Sequence, residues 1–241
     1  MKSIAARERL IFALDVPDTN AARALVERLD DAVAFYKIGL ELLMSGGYFD
    51  LLDWLTARDK RVFVDLKFFD VPATVAAAVR NLRDRGATFA TIHGNQSMME
   101  AAAAVKGDLK LLAVTVLTSL DRGDLDDLGF DCDVERLVLS RARRALEAGC
   151  DGVVSSGLEV PMLRREVSDR LFVVSPGIRP VENRPADDQK RVVSVEQAFA
   201  NGADYIVVGR PIREAADPRG AARAIQDTIA RIFVATPAAG A

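Results

Sequence analysis

Arg61-Val62-Phe63-Val64-Asp65-Leu66-Lys67-Phe68-Phe69-Asp70-Val71-Pro72-Ala73-Thr74 begins as an apolar strand and ends in three charges, followed shortly by proline. Side chains two apart on a strand point to the same face, so Asp65 and Lys67 are expected to share one. Charges on the inward face of an apolar strand are costly unless they are paired or functional. On this stretch alone two readings stand: a satisfied ion pair at a strand end, or a site. Beyond Pro72 the pattern turns helical, so the stretch is one strand-to-helix unit.

The same unit recurs along the chain. Strands are expected at Leu10–Asp15, Ala34–Ile38, Arg61–Lys67, Thr88–His93, Lys110–Leu117, Asp151–Ser155, Leu171–Ser175 and Asp204–Val208. Most are near-continuous apolar runs rather than strict alternations, the mark of parallel strands covered on both faces. Amphipathic stretches of helical length separate them, the first at Asn20–Leu29 with Asp18 or Thr19 as its N-cap. The phrases Arg85-Gly86-Ala87, Ala148-Gly149-Cys150-Asp151 and Asn201-Gly202-Ala203-Asp204 each place glycine between helix and strand, where a C-cap glycine belongs. Eight such units predict an α/β fold, one closed (β/α)8 TIM barrel spanning residues 1–241 as a single domain. A doubly wound open sheet is the alternative, but its GxGxxG is missing: strand one runs into Leu14-Asp15-Val16-Pro17-Asp18.

Composition narrows the partners. The 241 residues are 50% hydrophobic and 28% charged with a net charge of −3, and no basic block invites nucleic acid. The cluster Arg141, Arg143, Arg144 reads as a solvated helix face. No apolar run reaches membrane-span length, and Met1 to Leu10 lacks a signal-peptide core. Cys132 and Cys150 have neither CxxC nor zinc spacing and read as reduced thiols, which fits a cytoplasmic protein. One histidine, His93, rules out a His-rich metal site. It reads as structural rather than as an acid or base.

In a barrel, chemistry collects where strands end and the following loops begin. Those ends carry Asp15, Lys37, Asp65 with Lys67, His93, Thr118-Ser119, Ser155-Ser156, Gly177-Ile178-Arg179 and Gly209-Arg210. Strands one to three thus bring two acids and two lysines to one mouth, and this clustering favours a site over a lone ion pair. Loops after strands seven and eight form phosphate sites in many barrels. Here Gly177 and Gly209 permit close backbone approach, and Arg179 and Arg210 offer forked donors. Between those loops, Val181–Arg191 is polar and proline-bearing and reads as a mobile flap.

These residues resemble a known family. Asp65-Leu66-Lys67-Phe68-Phe69-Asp70-Val71-Pro72-Ala73-Thr74 is similar to the DxKxxDIPNT signature of the orotidine 5′-phosphate decarboxylases. Phe12-Ala13-Leu14-Asp15, Tyr36-Lys37-Ile38-Gly39, Val116-Leu117-Thr118-Ser119, Pro176-Gly177-Ile178-Arg179-Pro180, Asp188-Gln189-Lys190-Arg191 and Val207-Val208-Gly209-Arg210-Pro211-Ile212 extend the match from residue 10 to residue 212. Beyond the conservative Val71 for isoleucine, there are two departures from the pattern: Ala73 replaces the usual asparagine, and the pair Ser194-Val195 stands where Thr-Pro is common. Ala73 opens a helix beyond the charges and is expected to affect capping more than chemistry.

The resemblance implies decarboxylation of orotidine monophosphate (OMP) to UMP without cofactor or metal. It implies Lys67 as proton donor to C6, Asp65 facing the departing carboxylate, and Lys37 and Asp15 on the ribose hydroxyls. Thr118, rather than Ser119, is preferred for the pyrimidine, with Arg179, Gln189, Gly209 and Arg210 on the phosphate. It also implies a homodimer in which Asp70 and Thr74 reach the neighbouring subunit's site. The competing reading is a Mg²⁺-dependent sugar-phosphate decarboxylase or aldolase on the same scaffold. Those relatives hold the metal partly through a glutamate where this chain has Lys37, and an ammonium cannot ligate a divalent cation. A non-catalytic phosphate-binding barrel is a third reading, but it has no use for the Asp-Lys-Asp-Lys cluster.

Overall fold

In the computed structural model, which describes residues 2–93, 95–179 and 191–234, eight strands pair in parallel and in sequence order, and the eighth closes onto the first. They are β1 (Leu10–Ala13), β2 (Phe35–Gly39), β3 (Arg61–Phe68), β4 (Phe89–Ile92), β5 (Lys110–Val114), β6 (Gly152–Val154), β7 (Phe172–Ser175) and β8 (Tyr205–Val208). Each overlaps an expected strand. The main differences lie at C-terminal ends such as Asp15 and Leu117, where the chain leaves the ladder to form the loops of the barrel mouth.

The helices between them are α1 (Thr19–Leu29), α2 (Leu40–Met44), α3 (Tyr48–Thr56), α4 (Pro72–Arg83), α5 (Gln96–Ala103), α6 (Arg122–Asp127), α7 (Val134–Glu147), α8 (Val160–Glu166), α9 (Val195–Ala200), α10 (Arg210–Arg213) and α11 (Pro218–Val234). Asp18 caps α1 by accepting from the amides of Asn20 and Ala21. Gly86, Gly149 and Gly202 adopt φ of +77°, +84° and +97°, the left-handed turn that a helix needs before re-entering the sheet. Helices α2, α6 and α10 are too short to show a 3.6-residue period, which is why hydrophobic patterning did not announce them.

Alternation along the strands sorts side chains into two cores. Leu10, Phe12 and Leu14 face outward into the sheet–helix core with Tyr36, Ile38, Val62 and Val64. Ile11, Phe35, Phe63, Phe89, Leu112, Val174 and Tyr205 fill the barrel interior. Its aromatic rings pack against one another, Phe35 on Phe89 at 5.3 Å and Phe89 on Tyr205 at 5.2 Å between centroids. One inward position further along β2, β3 and β4 are Lys37, Asp65 and Thr91. The polar cluster therefore stands directly on an aromatic floor.

Arg141 corrects the solvated-face expectation. It is half-buried, stacks on Phe130 and donates to the Thr115 carbonyl, while Arg143 and Arg144 are exposed as expected. At the N-terminal end of the barrel the buried Asp204 carboxylate accepts from Lys2, Arg164 and the Val173 amide, each within 2.9 Å. Breaking such a pair leaves two cations short of a partner in a poorly solvated place. Asp204→Ala should lower the stability measured by urea unfolding by about 3 kcal/mol.

Candidate active site

At the C-terminal mouth of the barrel a cavity of about 420 Å³ is lined by Asp15, Lys37, Asp65, Lys67, Thr118, Ser119, Gly177, Arg179, Gly209 and Arg210, among others. The expected acids, lysines, hydroxyls and glycine–arginine pairs thus surround one space. Gln189 lies outside the described residues. Asp70 and Thr74 are exposed and are not among the lining residues. The Asp70 carboxylate accepts from the Val71 amide at 2.6 Å at the start of α4. Asp70 therefore stands outside the lining of its own cavity.

The charges form a chain. Lys37 Nζ donates to Asp15 Oδ1 at 2.9 Å and lies 3.6 Å from Asp65 Oδ2. Lys67 Nζ donates to the other Asp65 oxygen, also at 2.9 Å. Gly39 gives the Lys37 ammonium its space, since a Cβ there would stand 3.2 Å from Nζ. Asp65 and Lys67 do meet, but not through plain strand alternation. Pairing of β3 with β4 runs Val64↔Ala90 and then Phe68↔Ile92, so β3 is bulged, and Lys67 sits in it at φ +49°. A non-glycine residue in that conformation costs on the order of 1 kcal/mol and needs outside support.

Thr91 supplies support that sequence reasoning missed. Its hydroxyl accepts from the Lys67 amide and donates to Asp65 Oδ1, both at 2.9 Å. A threonine amid the apolar residues of β4 was the available signal. Arg213 was also missed; it lines the cavity and donates to the Asp15 carbonyl. Of the expected flap, residues 181–190 lie outside the described residues, and Arg191 is described. Its guanidinium pairs with buried Glu159 at 2.7 Å and donates to the Val116 and Leu117 carbonyls, bracing the loop that carries Thr118. His93 is half-buried with its ring 5.7 Å from Phe69. Burial, with Arg141 and Lys67 nearby, moves it below its ordinary pKa, so it is neutral at pH 7.

Electrostatics follow from burial and charge together. Burial alone would raise the Asp65 pKa, but Lys37, Lys67 and the hydrogen bonds from Lys67 and Thr91 outweigh it and hold the carboxyl below the usual range. Burial opposes the Lys37 cation too, yet Asp65 and Asp15 push it above the ordinary lysine value. Among the described residues no three His, Cys, Asp or Glu side chains are grouped to hold a metal ion. Lys37 occupies the space between the two carboxylates, so the donor set suits a cation that the chain itself provides.

The signs of the pH dependence follow. The stability contributed by Asp65 is present above the unfolded carboxylate pKa, near 3.9, and is lost as pH falls through the depressed folded value. That contributed by Lys37 is present below the unfolded lysine pKa, about 10.4, and is lost as pH rises through the raised folded value. In Lys37→Met, the acid limb of the urea midpoint should move to higher pH, because Asp65 loses its nearest countercharge after Lys67. An unmoved limb would show that Asp65 does not feel Lys37.

Residues 8–225 match the family described as orotidine 5′-phosphate decarboxylase / HUMPS. The chain is 70% identical over 234 residues to the orotidine 5′-phosphate decarboxylase of Methylococcus capsulatus, covering 97% of each, and 57% identical over 230 residues to that of Stenotrophomonas maltophilia, covering 95% of each. Among solved structures, orotidine 5′-phosphate decarboxylase from Lactobacillus acidophilus superposes with a TM-score of 0.81 at 34% identity, covering 92% of this chain and 99% of that one. With the matched length, these identities and a shared closed barrel, this chain belongs to the orotidine 5′-phosphate decarboxylase / HUMPS family.

Proposed function

We propose that the chain, acting as one barrel domain in the cytoplasm, removes CO₂ from OMP to give UMP without a metal or organic cofactor. The observation that carries this reading is the Lys37–Asp65–Lys67 chain at the cavity floor. The family description joins the decarboxylase to HUMPS relatives, and the lysine between Asp15 and Asp65 favours the decarboxylase, because a divalent ion there would meet a fixed ammonium. All three relatives named above carry the name orotidine 5′-phosphate decarboxylase.

Loss of CO₂ leaves an electron pair on C6 of the pyrimidine with no conjugated sink. Charges set in place before the reaction are therefore the means of stabilising it. Lys67 faces that developing charge and gives its proton to C6, forming the C–H bond as the C–C bond electrons are released. Asp65 disfavours the substrate carboxylate more than the transition state in which that charge has moved to C6. Asp15 and Lys37 take the ribose hydroxyls, and Thr118 takes the pyrimidine. Arg179, Gln189, Gly209 and Arg210 take the phosphate, whose binding energy is available to hold the ring against Lys67.

The active form in this reading is a homodimer. Phe69 and Val71 are 68% and 62% exposed just beyond the bulge. Phe69 also lines an apolar groove that opens beside Lys67, together with His93, Leu117, Leu120, Leu128 and Phe130. A second copy covering it would bury these side chains and bring its own Asp70 and Thr74 toward Lys67.

Turnover is followed as loss of OMP absorbance with excess chelator present. Wild-type protein should remain active, and Lys67→Ala should lose at least about a thousandfold in kcat/KM. Activity that appears only on adding Mg²⁺ would overturn the reading in favour of the sugar-phosphate enzymes. Inactive Lys67→Ala and Asp70→Ala proteins, mixed and allowed to exchange subunits, should recover up to about a quarter of wild-type activity, because half the dimers carry one intact site. No recovery from folded, exchanging subunits would count against shared sites.

A further inference from the structure

We infer that Thr91 is a positioning residue for the decarboxylation, its single hydroxyl setting both the Asp65 carboxylate and the backbone that aims Lys67. The inference rests on the reading of the cavity as an OMP decarboxylase site.

The bulge in β3 breaks the regular ladder between Val64 and Phe68, and Lys67 lies within the break. A buried amide without a partner is costly. Thr91 Oγ1 accepts the Lys67 amide at 2.9 Å, and its side chain is buried on β4 opposite the bulge. With a lone pair committed to that amide, the hydroxyl proton is directed to Asp65 Oδ1, again at 2.9 Å. Lys67 Nζ donates to the same oxygen. Backbone amide, hydroxyl, carboxylate and ammonium therefore close a ring in which both ends belong to Lys67.

The ring has a directional consequence. Lys67 in its left-handed conformation projects its side chain back over Asp65, and both are fixed relative to β4 through one β-branched residue with restricted χ1. Asp65 Oδ2 is left to Lys37 at 3.6 Å. The placement of proton donor and carboxylate is set without any contact between Thr91 and the cavity, since Thr91 is not among the lining residues. Removing the hydroxyl should thus affect the chemical step more than substrate affinity.

Thr91→Val keeps the shape and removes the hydroxyl; Thr91→Ser keeps the hydroxyl. Expected for Val is a fall in kcat of about tenfold to a hundredfold, the scale of a small misplacement of reacting groups. KM for OMP and the dissociation constant for UMP should stay near wild type, and Ser should restore most of kcat. A Val variant with wild-type kcat overturns the inference. So do equal losses in Val and Ser, or losses of kcat and UMP affinity in step, which would mark Thr91 as packing only. Should Val not fold, Thr91→Ala removes the hydroxyl without added bulk and makes the same comparison. Failure of the underlying reading is distinct: wild-type protein would then not turn over OMP at all.

Discussion

The ionised Asp65 carboxylate, held between Lys37 and Lys67 above a floor of aromatic rings, is the interaction on which the rest of the mouth depends. Phe35, Phe63 and Phe89 lie one inward position below Lys37, Asp65 and Thr91. They leave the charges little water from beneath, which strengthens each Coulomb interaction and raises the penalty for losing a partner. A single carboxylate with two lysines would still leave one cation in excess. Asp15, at the end of β1, takes the second contact of Lys37. The network thus alternates sign across three adjacent strands, and closure of the barrel is what makes those strands adjacent.

Backbone geometry matters as much as charge. A regular β3 would place Lys67 by alternation alone. The bulge instead turns it through a left-handed residue, and neighbouring β4 supplies the hydroxyl that makes this tenable. Strain stored at one residue is offset by a hydrogen bond from the next strand, a common way for a rigid scaffold to hold a side chain in a defined place. The opposite wall is braced differently. Arg191 reaches from the start of the segment before α9 to Glu159 and to the carbonyls of the β5 loop. Burial lifts the Glu159 pKa although Arg191 opposes it. The loops that surround the cavity are therefore tied to one another as well as to their own strands.

Much of this was written locally. Apolar runs, glycines at the helix ends and charges at strand termini made eight units and their functional edge legible, because each depends on residues a few positions apart. Lys37 could be weighed against a metal ligand for the same reason: the chemistry of an ammonium does not depend on the fold. The bulge, Thr91 and Arg191 were not legible in that way. A threonine in a strand has the same local propensity whether or not it faces a carboxylate, and an arginine in a polar stretch looks solvated until the fold places Glu159 beside it.

The sequence by itself determined the order of strands and helices, the identity of the charges and the edge on which they fall, since periodicity and residue chemistry are properties of short segments. Only the tertiary structure decided the partners: that Asp65 meets both lysines, that Lys67 is aimed from a bulge through Thr91, and that Asp70 stands outside its own cavity. Those are distances between residues on different strands or past a turn. They are set by barrel closure, register and packing, which no local pattern encodes.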